Sequence, residues 1–478
     1  MEHQQRLGAA RFRLAQYYLN IMRASQRIYQ QGHENEAYAL AMFDQEKDQI
    51  KRWQAWTTHN AEEDEQATAL CSAYAGASPD IFKLRLLPQE YLRWLETAVE
   101  AARRLGDRYA EVDHLLELGE MHNHLSASQQ ALACARQVLA FAHQVHDRSL
   151  MARAFSVCGM AARNQGKFEE AQAYYDQSLA LYQAIGDKRG LAKMVTALSV
   201  LALSRRDTAA AHKYLEQGLA LHRETGDQEG LISCLNNLGF LAIRLGEYSA
   251  ARDYLEQGLA LCQITRNTLG ISIVLTNLGN LACAQGEDAL ARNYFEEGLT
   301  AARLARVRER EAICLHKLGQ VTLARGELLQ AQDYFEQSLG CSTPTGILLP
   351  ESLSKLALTY LLLGQAGRAY ATLRKGLEVA RGLPDSLAHA RLFVLVAAAR
   401  MWVLRGHPSQ ATRWLSLVEN DPHPAVKMTD IKRDIQVGRA ECEAAVPPDQ
   451  FRTAWEEGKT LSLDAVIAEI LGELQDYA

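Results

Sequence analysis

Leu235-Asn-Asn-Leu-Gly-Phe-Leu-Ala-Ile-Arg-Leu-Gly-Glu-Tyr-Ser-Ala-Ala-Arg-Asp-Tyr-Leu-Glu-Gln-Gly-Leu259 holds two helical patterns separated by a glycine. In the first, Leu235, Leu238, Gly239 and Ala242 recur at a spacing that places them on one helix face. Gly246 interrupts the run, and the second pattern turns Ala251, Leu255 and Leu259 inward. The stretch therefore reads as two antiparallel helices. Forty residues on, Leu275-Thr-Asn-Leu-Gly-Asn-Leu-Ala282 begins the same pattern again.

The 40-residue step runs through much of the chain. Ala131, Ala171, Ala211, Ala251, Ala291 and Ala331 form one series, and Leu139, Leu179, Leu219, Leu259, Leu299 and Leu339 a second. Gly119, Gly159, Gly239, Gly279 and Gly319 form another, with Ser199 in its gap. After Gly326 the spacing drifts, but Ala369 and Ala411 continue the alanines. Gly106-Asp107, His146-Asp147, Gly186-Asp187 and Gly226-Asp227 punctuate the units. A glycine there can take the left-handed conformation that ends one helix, and an aspartate can cap the next. The small residues at Gly239, Ala251, Gly279, Ala291, Gly319 and Ala331 are expected where paired helices approach closely.

The 478 residues are too many for one ordinary core, and a stacked array solves that problem. Ala, Leu, Glu, Gln and Arg dominate over only 10 prolines, which suits helices. The formal charge of -6 argues against nucleic acid as a main partner. No apolar run reaches the roughly 18 residues of a membrane span, and the N-terminus lacks a signal-peptide pattern. Nine scattered cysteines without a C-x-x-C pair suit a reducing cytoplasm.

This Leu-Gly…Ala pattern resembles the tetratricopeptide repeat, with units longer than the usual 34 or so residues. Asn236-Asn237-Leu238-Gly239 and the Gly-Asp turns are similar to the long repeats of kinesin light chain and of mitotic-spindle adaptors. The resemblance implies an all-α fold: a right-handed α-α superhelix with helical caps at both ends. The expected organisation is an N-terminal helical segment over 1–60 and a weak first unit over 61–109. About eight helix pairs over 110–420 and a helical cap over 421–478 follow.

A second resemblance lies at the ends. Ala15-Gln-Tyr-Tyr-Leu19, Phe43-Asp-Gln-Glu-Lys-Asp-Gln-Ile-Lys-Arg-Trp-Gln-Ala-Trp56 and the tail Phe451-Arg-Thr-Ala-Trp-Glu-Glu-Gly-Lys-Thr-Leu-Ser-Leu-Asp-Ala-Val466 resemble the helical arm of bacterial STAND-class ATPase regulators. Those regulators join such an arm to an NB-ARC nucleotide switch. Here no G-x-x-x-x-G-K-[ST] loop exists; Gly166-Lys167 and Gly458-Lys459 lack the upstream glycine. The resemblance implies a sensing arm without its own switch, which a separately encoded NTPase would supply. The alternative is a free-standing adaptor joining two proteins.

No catalytic constellation is visible, and neither a cofactor nor a metal is expected. Glu111 and His114 have the Glu-x-x-His spacing of di-iron bundles, but no second pair completes such a site. Glu117, Glu120 and His124 read as a solvated acidic face, and the basic run from Arg303 to Arg310 as a solvated turn. Cys234 and Cys314 share a repeat position, too far apart for a disulfide.

The face of each first helix left over by packing is expected to line a concave groove that holds a protein or peptide. It carries Asn236, Asn237, Phe240 and Arg244, then Thr276, Asn277 and Asn280, then His316, Lys317 and Gln320. Amides offer a peptide backbone both donor and acceptor, and Lys317, with protonated His316, could meet a carboxylate. Asparagine also costs helix propensity, so solubility alone does not explain it. A rival site for a small ligand lies further on, near Leu358, Leu361, Leu362, Val403 and Leu404.

Overall fold

The computed structural model describes residues 2–31, 34–125, 127–342, 348–383, 389–421 and 429–475. Among them are 24 helices. A long hairpin comes first, α1 (Glu2–Tyr29) and α2 (Glu34–Asn60). Then follow α3 (Glu65–Ala75), short α4 (Pro79–Arg85) and α5 (Pro88–Leu105). The regular pairs begin with α6 (Arg108–His124) and α7 (Ser128–Val145), α8 (Arg148–Asn164) and α9 (Phe168–Ile185), and α10 (Lys188–Arg205) and α11 (Thr208–Thr225). They continue with α12 (Gln228–Leu245) and α13 (Tyr248–Ile264), α14 (Thr268–Gln285) and α15 (Asp288–Ala305), and α16 (Arg308–Ala324) and α17 (Leu328–Cys341). The last are α18 (Leu349–Leu362) and α19 (Ala366–Gly382), then α20 (His389–Leu404) and α21 (Pro408–Glu419). The chain closes with α22 (Thr429–Ala445), α23 (Pro448–Gly458) and α24 (Leu463–Glu473). No helix among the described residues is long and apolar enough to cross a membrane.

The chain divides into two compact units. Unit 1 comprises residues 1–241 and 253–270, and unit 2 comprises 242–252 and 271–478. Within unit 1, α6 to α11 pack each on the next, and α3 packs on α5. Within unit 2, α15 to α21 do the same.

The glycine series has a specific steric partner. A β-carbon on Gly159 would lie 2.5 Å from the Tyr175 ring, on Gly239 2.5 Å from Leu255, on Gly279 2.4 Å from Phe295 and on Gly319 2.6 Å from Phe335. In these four units the glycine of the first helix thus makes room for one large side chain of the second, whereas Gly119 faces Val157 of α8 at 3.0 Å. Where that side chain is Leu215, the unit tolerates Ser199, whose hydroxyl turns back to Thr196 O. The alanines of the repeat, Ala131 through Ala331, are fully buried.

The turns follow the sequence. Oδ1 of Asp107, Asp187 and Asp227 each accepts the backbone N–H three residues on, and Asn267 does the same for Gly270. Gly106, Gly186 and Gly226 have positive φ, but His146, at the same repeat position, is forced to φ 54. A left-handed non-glycine residue costs about 1–2 kcal/mol. His146 is exposed, so His146→Gly is expected to raise stability by about 1 kcal/mol in chemical denaturation. An unchanged or lower midpoint would show that the imidazole contributes more than its backbone conformation costs.

At the C-terminal end of unit 2, α18 and α20 are buried almost all round. Their outer partners are not solvent but the chain's own tail. Ile431, Ile435 and Cys442 of α22, with Val466, Ile467 and Ile470 of α24, join one core with Leu358, Trp402 and Trp414. Trp455, Leu461 and Leu463 pack half-buried against it.

Candidate binding strip

In unit 2, Asn277 and Asn280 of α14 and Lys317 and Gln320 of α16 lie half-buried. Asn280 Nδ2 donates to Asn277 Oδ1 at 3.3 Å, and Lys317 Nζ donates to Gln320 Oε1 at 3.2 Å. Gln320 Nε2 in turn donates to Glu351 Oε1 of α18 at 2.8 Å. The next lysine, Lys355, pairs with Asp434 of α22. Amides and charges thus face successive helices, with α16 joined to α18 through Gln320 and Glu351.

Two expected strip residues lie elsewhere. His316 is fully buried, with Nδ1 at 2.8 Å from Ser352 Oγ and Nε2 at 3.1 Å from Glu351 Oε1. Its carboxylate partner is thus internal. Thr276 is also buried; its hydroxyl donates to Ser272 O at 2.7 Å and accepts from Arg310 Nη2 at 3.0 Å. One helical step from Asn277 and Lys317 is enough to turn a side chain under the neighbouring helix. In unit 1, Asn236, Asn237 and Phe240 are half-buried; Arg244, which falls in unit 2, is exposed.

Lys355 extends the strip beyond what the residue pattern suggested. Ala369 follows Ala331 by 38 residues rather than 40, and the same step carries Lys317 to Lys355. The apolar stretch further on is mostly interior, although Leu362 and Leu404 remain exposed. Leu358 is 1 % exposed inside the core, Leu361 and Val403 pack on it, and α22 fills the space beside them.

Other sequence expectations change as well. Glu117 and Glu120 are not a solvated acidic face. Lys83 of α4 reaches both, at 2.8 and 2.6 Å, and Arg153 of α8 bonds Glu117 at 3.2 Å and Asp113 at 2.7 Å. Burial opposes the Lys83 charge, but the two glutamates hold its pKa well above that of an ordinary lysine. Arg310 is half-buried and bonded to Thr276 rather than solvated. Glu111 is buried between Arg103 and Arg108, and His114 bonds Ser72. No group of three His, Cys, Asp or Glu among the described residues could hold a metal ion.

A Cys-His-Asp arrangement does occur in unit 1. His222 Nδ1 lies 2.9 Å from Asp227 Oδ2, and its Nε2 lies 3.0 Å from Thr196 Oγ1, which is 3.5 Å from Cys234 Sγ. Burial would depress the imidazole pKa, but Asp227, together with Cys234, lifts it to about 9. Cys234 is fully buried, so a substrate has no path to its thiol, and the network reads as interior polar packing.

Residues 150–224 and 270–342 match one tetratricopeptide repeat family, and residues 231–267 match another of the same description. The matched residues carry tetratricopeptide repeats, and the described residues are all-α. Similar solved structures include the APC/C hetero-tetramer Cut9-Hcn1, at 15% identity and TM-score 0.48, covering 75% of this chain and 63% of that one. NprR in complex with its cognate peptide NprX is similar at 13% identity and TM-score 0.48, over 76% of this chain and 99% of that one. A STAND protein with a tetratricopeptide repeat sensor from Pyrococcus horikoshii is similar at 12% identity and TM-score 0.47, over 79% and 55%. No curated protein sequence matches the chain.

Proposed function

We propose that this chain is a non-catalytic cytoplasmic binding scaffold, and that unit 2 holds an extended peptide segment with an acidic group along Asn277, Asn280, Lys317 and Gln320. The carrying observation is that half-buried amides and one ammonium recur at equivalent positions of α14 and α16, each helix bonding its own pair. An extended backbone presents alternating N–H and C=O groups, which paired amides can meet without regard to side chains. Lys317 supplies the point charge that selects a carboxylate. In unit 1, Asn236, Asn237 and Phe240 offer similar chemistry within that unit. The internal hydrogen bonds of the strip hold these side chains in place before a ligand arrives, which lowers the cost of ordering them.

The tail resemblance to STAND regulators suggests where such a scaffold works. We propose that it is the sensing arm of such a signalling system, its nucleotide switch carried by a separate NTPase. The test is selection of peptides from a random display library on the full chain. Peptides enriched for Asp or Glu, binding in an extended form, are expected. Enrichment only of neutral, helical or basic peptides would refute the strip as the recognition surface.

A further inference from the structure

α1 carries its charge differently from the rest of the chain. It holds five arginines, no lysine and a single acidic residue, Glu2, in a protein whose formal charge is -6. One side of the helix is given over to the fold. Ala15, Leu19 and Met22 are buried in the core of unit 1, and Tyr74 Oη donates to Ala15 O at 2.7 Å. The hairpin of α1 and α2 is also tied further along the unit. Arg189 of α10 donates to Gln30 O at 2.8 Å, and the backbone N–H of Gln228 donates to Glu36 Oε1 at 3.3 Å. The other side of α1 faces outward. At about 3.6 residues per turn, Arg13, Gln16, Asn20, Arg23 and Arg27 fall on one stripe. The three arginines and Asn20 are exposed, and Gln16 is half-buried. Beside them run Leu14, Tyr17 and Ile21, with Leu14 46 % and Tyr17 57 % exposed.

We propose that this outer face of α1 is a docking surface for an acidic helix of a partner protein, met by Arg13, Arg23 and Arg27 and by the adjoining Leu14 and Tyr17. The arginines have no internal task that accounts for them. None of the three forms an ion pair among the described residues. Arginines of the repeats do: Arg153 pairs with Asp113 and Glu117, and Arg292 with Glu296 and Glu327. Within the stripe, Gln16 Nε2 donates to Asn20 Oδ1 at 3.3 Å and Arg27 Nε to Arg23 O at 3.3 Å. Arg23 and Arg27 stand one turn apart, where like charges weaken a helix. Arg27 gains from the negative end of the helix dipole, but Arg13 and Arg23 lie too far back to do so. Asn20, Arg23, Gln26 and Arg27, with Ala77 between α3 and α4, also line an open hollow of about 500 Å³. Asp80 of α4 does not neutralise it; its Oδ2 accepts from Gln26 Nε2 at 2.6 Å.

The residue types select the partner. A guanidinium can hold a carboxylate by two parallel bonds, which an ammonium cannot. Arginine and tyrosine are enriched at protein interfaces, where lysine is depleted, and α1 has no lysine. Arg23 and Arg27 are one turn apart, and Arg13 stands about 15 Å back along the axis. Carboxylates spaced i and i+4 on a second helix would meet that ladder, with an apolar side chain seated against Leu14 and Tyr17. A membrane surface fits less well. The broad apolar face that an interfacial helix inserts is here Ala15, Leu19 and Met22, already inside the core. The surface belongs to unit 1 and does not depend on the peptide proposed for unit 2.

The experiment is fluorescence anisotropy on the full chain with a labelled synthetic helix of about 20 residues, about 30 Å long. It carries glutamates at i and i+4 along one stripe and leucines along the next; a twin has lysine at each glutamate. The chain as a whole is negative, so bulk attraction favours the twin, and preference for the glutamate peptide reports a local surface. Wild type is expected to bind the glutamate peptide, more weakly as salt is raised. Arg23→Ala with Arg27→Ala is expected to weaken binding about tenfold without changing the melting temperature. Arg23→Lys with Arg27→Lys keeps the charge but loses the fork, and is expected to fall between; it carries the comparison if the alanine pair melts early. Asn277→Ala with Lys317→Ala, in unit 2, is expected to leave this binding unchanged. Absence of binding at low salt, or equal affinity of wild type and both arginine variants, would overturn the docking surface. So would loss confined to the Asn277 and Lys317 variant, which would place the peptide on the unit 2 strip. Binding of phosphatidylserine vesicles, but not of the peptide, that disappears in the arginine variants would assign the face to a membrane and overturn it equally.

Discussion

Gly279→Leu is expected to destabilise unit 2 by about 3 kcal/mol, the upper end for overpacking a filled site. A β-carbon alone would stand 2.4 Å from the Phe295 ring, and the rest of a leucine has nowhere to go. Phe295 is fully buried and packs with Leu299, Leu315 and Leu318. Phe295→Ala should by itself cost about 3–5 kcal/mol by opening a cavity. Combined, the two changes exchange large for small across one contact, so the pair should cost well below the sum of the two. Urea denaturation of the four proteins measures the coupling. Strict additivity would mean that Gly279 and Phe295 do not share the space assigned to them, and that the repeat register is wrong.

Ending the chain at Asp421 should have the largest effect. It removes Ile431, Ile435, Val466, Ile467, Ile470 and Leu474, all at most 3 % exposed. Each buried side chain of this size contributes about 1.5–3 kcal/mol. Their loss would strip α18 and α20 of their cover and expose Leu358, Trp402 and Trp414. Terminal repeats need a polar outer face, and this one would lack it. The truncated protein is expected to bind a surface-exposure dye, melt at lower temperature and aggregate. A soluble truncation with an unchanged cooperative transition would show that α22–α24 serve a partner instead.

The repeat was legible because its period is written in residue types. Glycine at 239, 279 and 319 and alanine at 251, 291 and 331 are positions where sterics leave little choice. The turns were legible for the same reason, since Asp and Gly there answer to backbone conformation. The two-unit division was not, because the period runs through residues 241–271 without interruption.

The strip was less legible than the fold. Helical spacing puts Thr276 and His316 beside Asn277 and Lys317, and it cannot say where the next helix begins to cover them. Lys355 was hidden by a two-residue change of spacing after Gly326. The Lys83 pairing with Glu117 and Glu120, the α22 cover and the hairpin contacts join segments tens to nearly two hundred residues apart. Long-range contacts of that kind leave no periodic trace in a single sequence.

The most direct measurement is the affinity of the tightest acidic peptide from the display selection, by isothermal titration, for wild type and for Asn277→Ala with Lys317→Ala. Both sites are half-buried rather than core, and alanine is the better helix former, so melting temperature should move little. Loss of two net ligand bonds, one of them charged, is expected to weaken binding by about 2–3 kcal/mol, roughly 30- to 150-fold. Equal affinity for the two proteins would contradict recognition along Asn277 and Lys317.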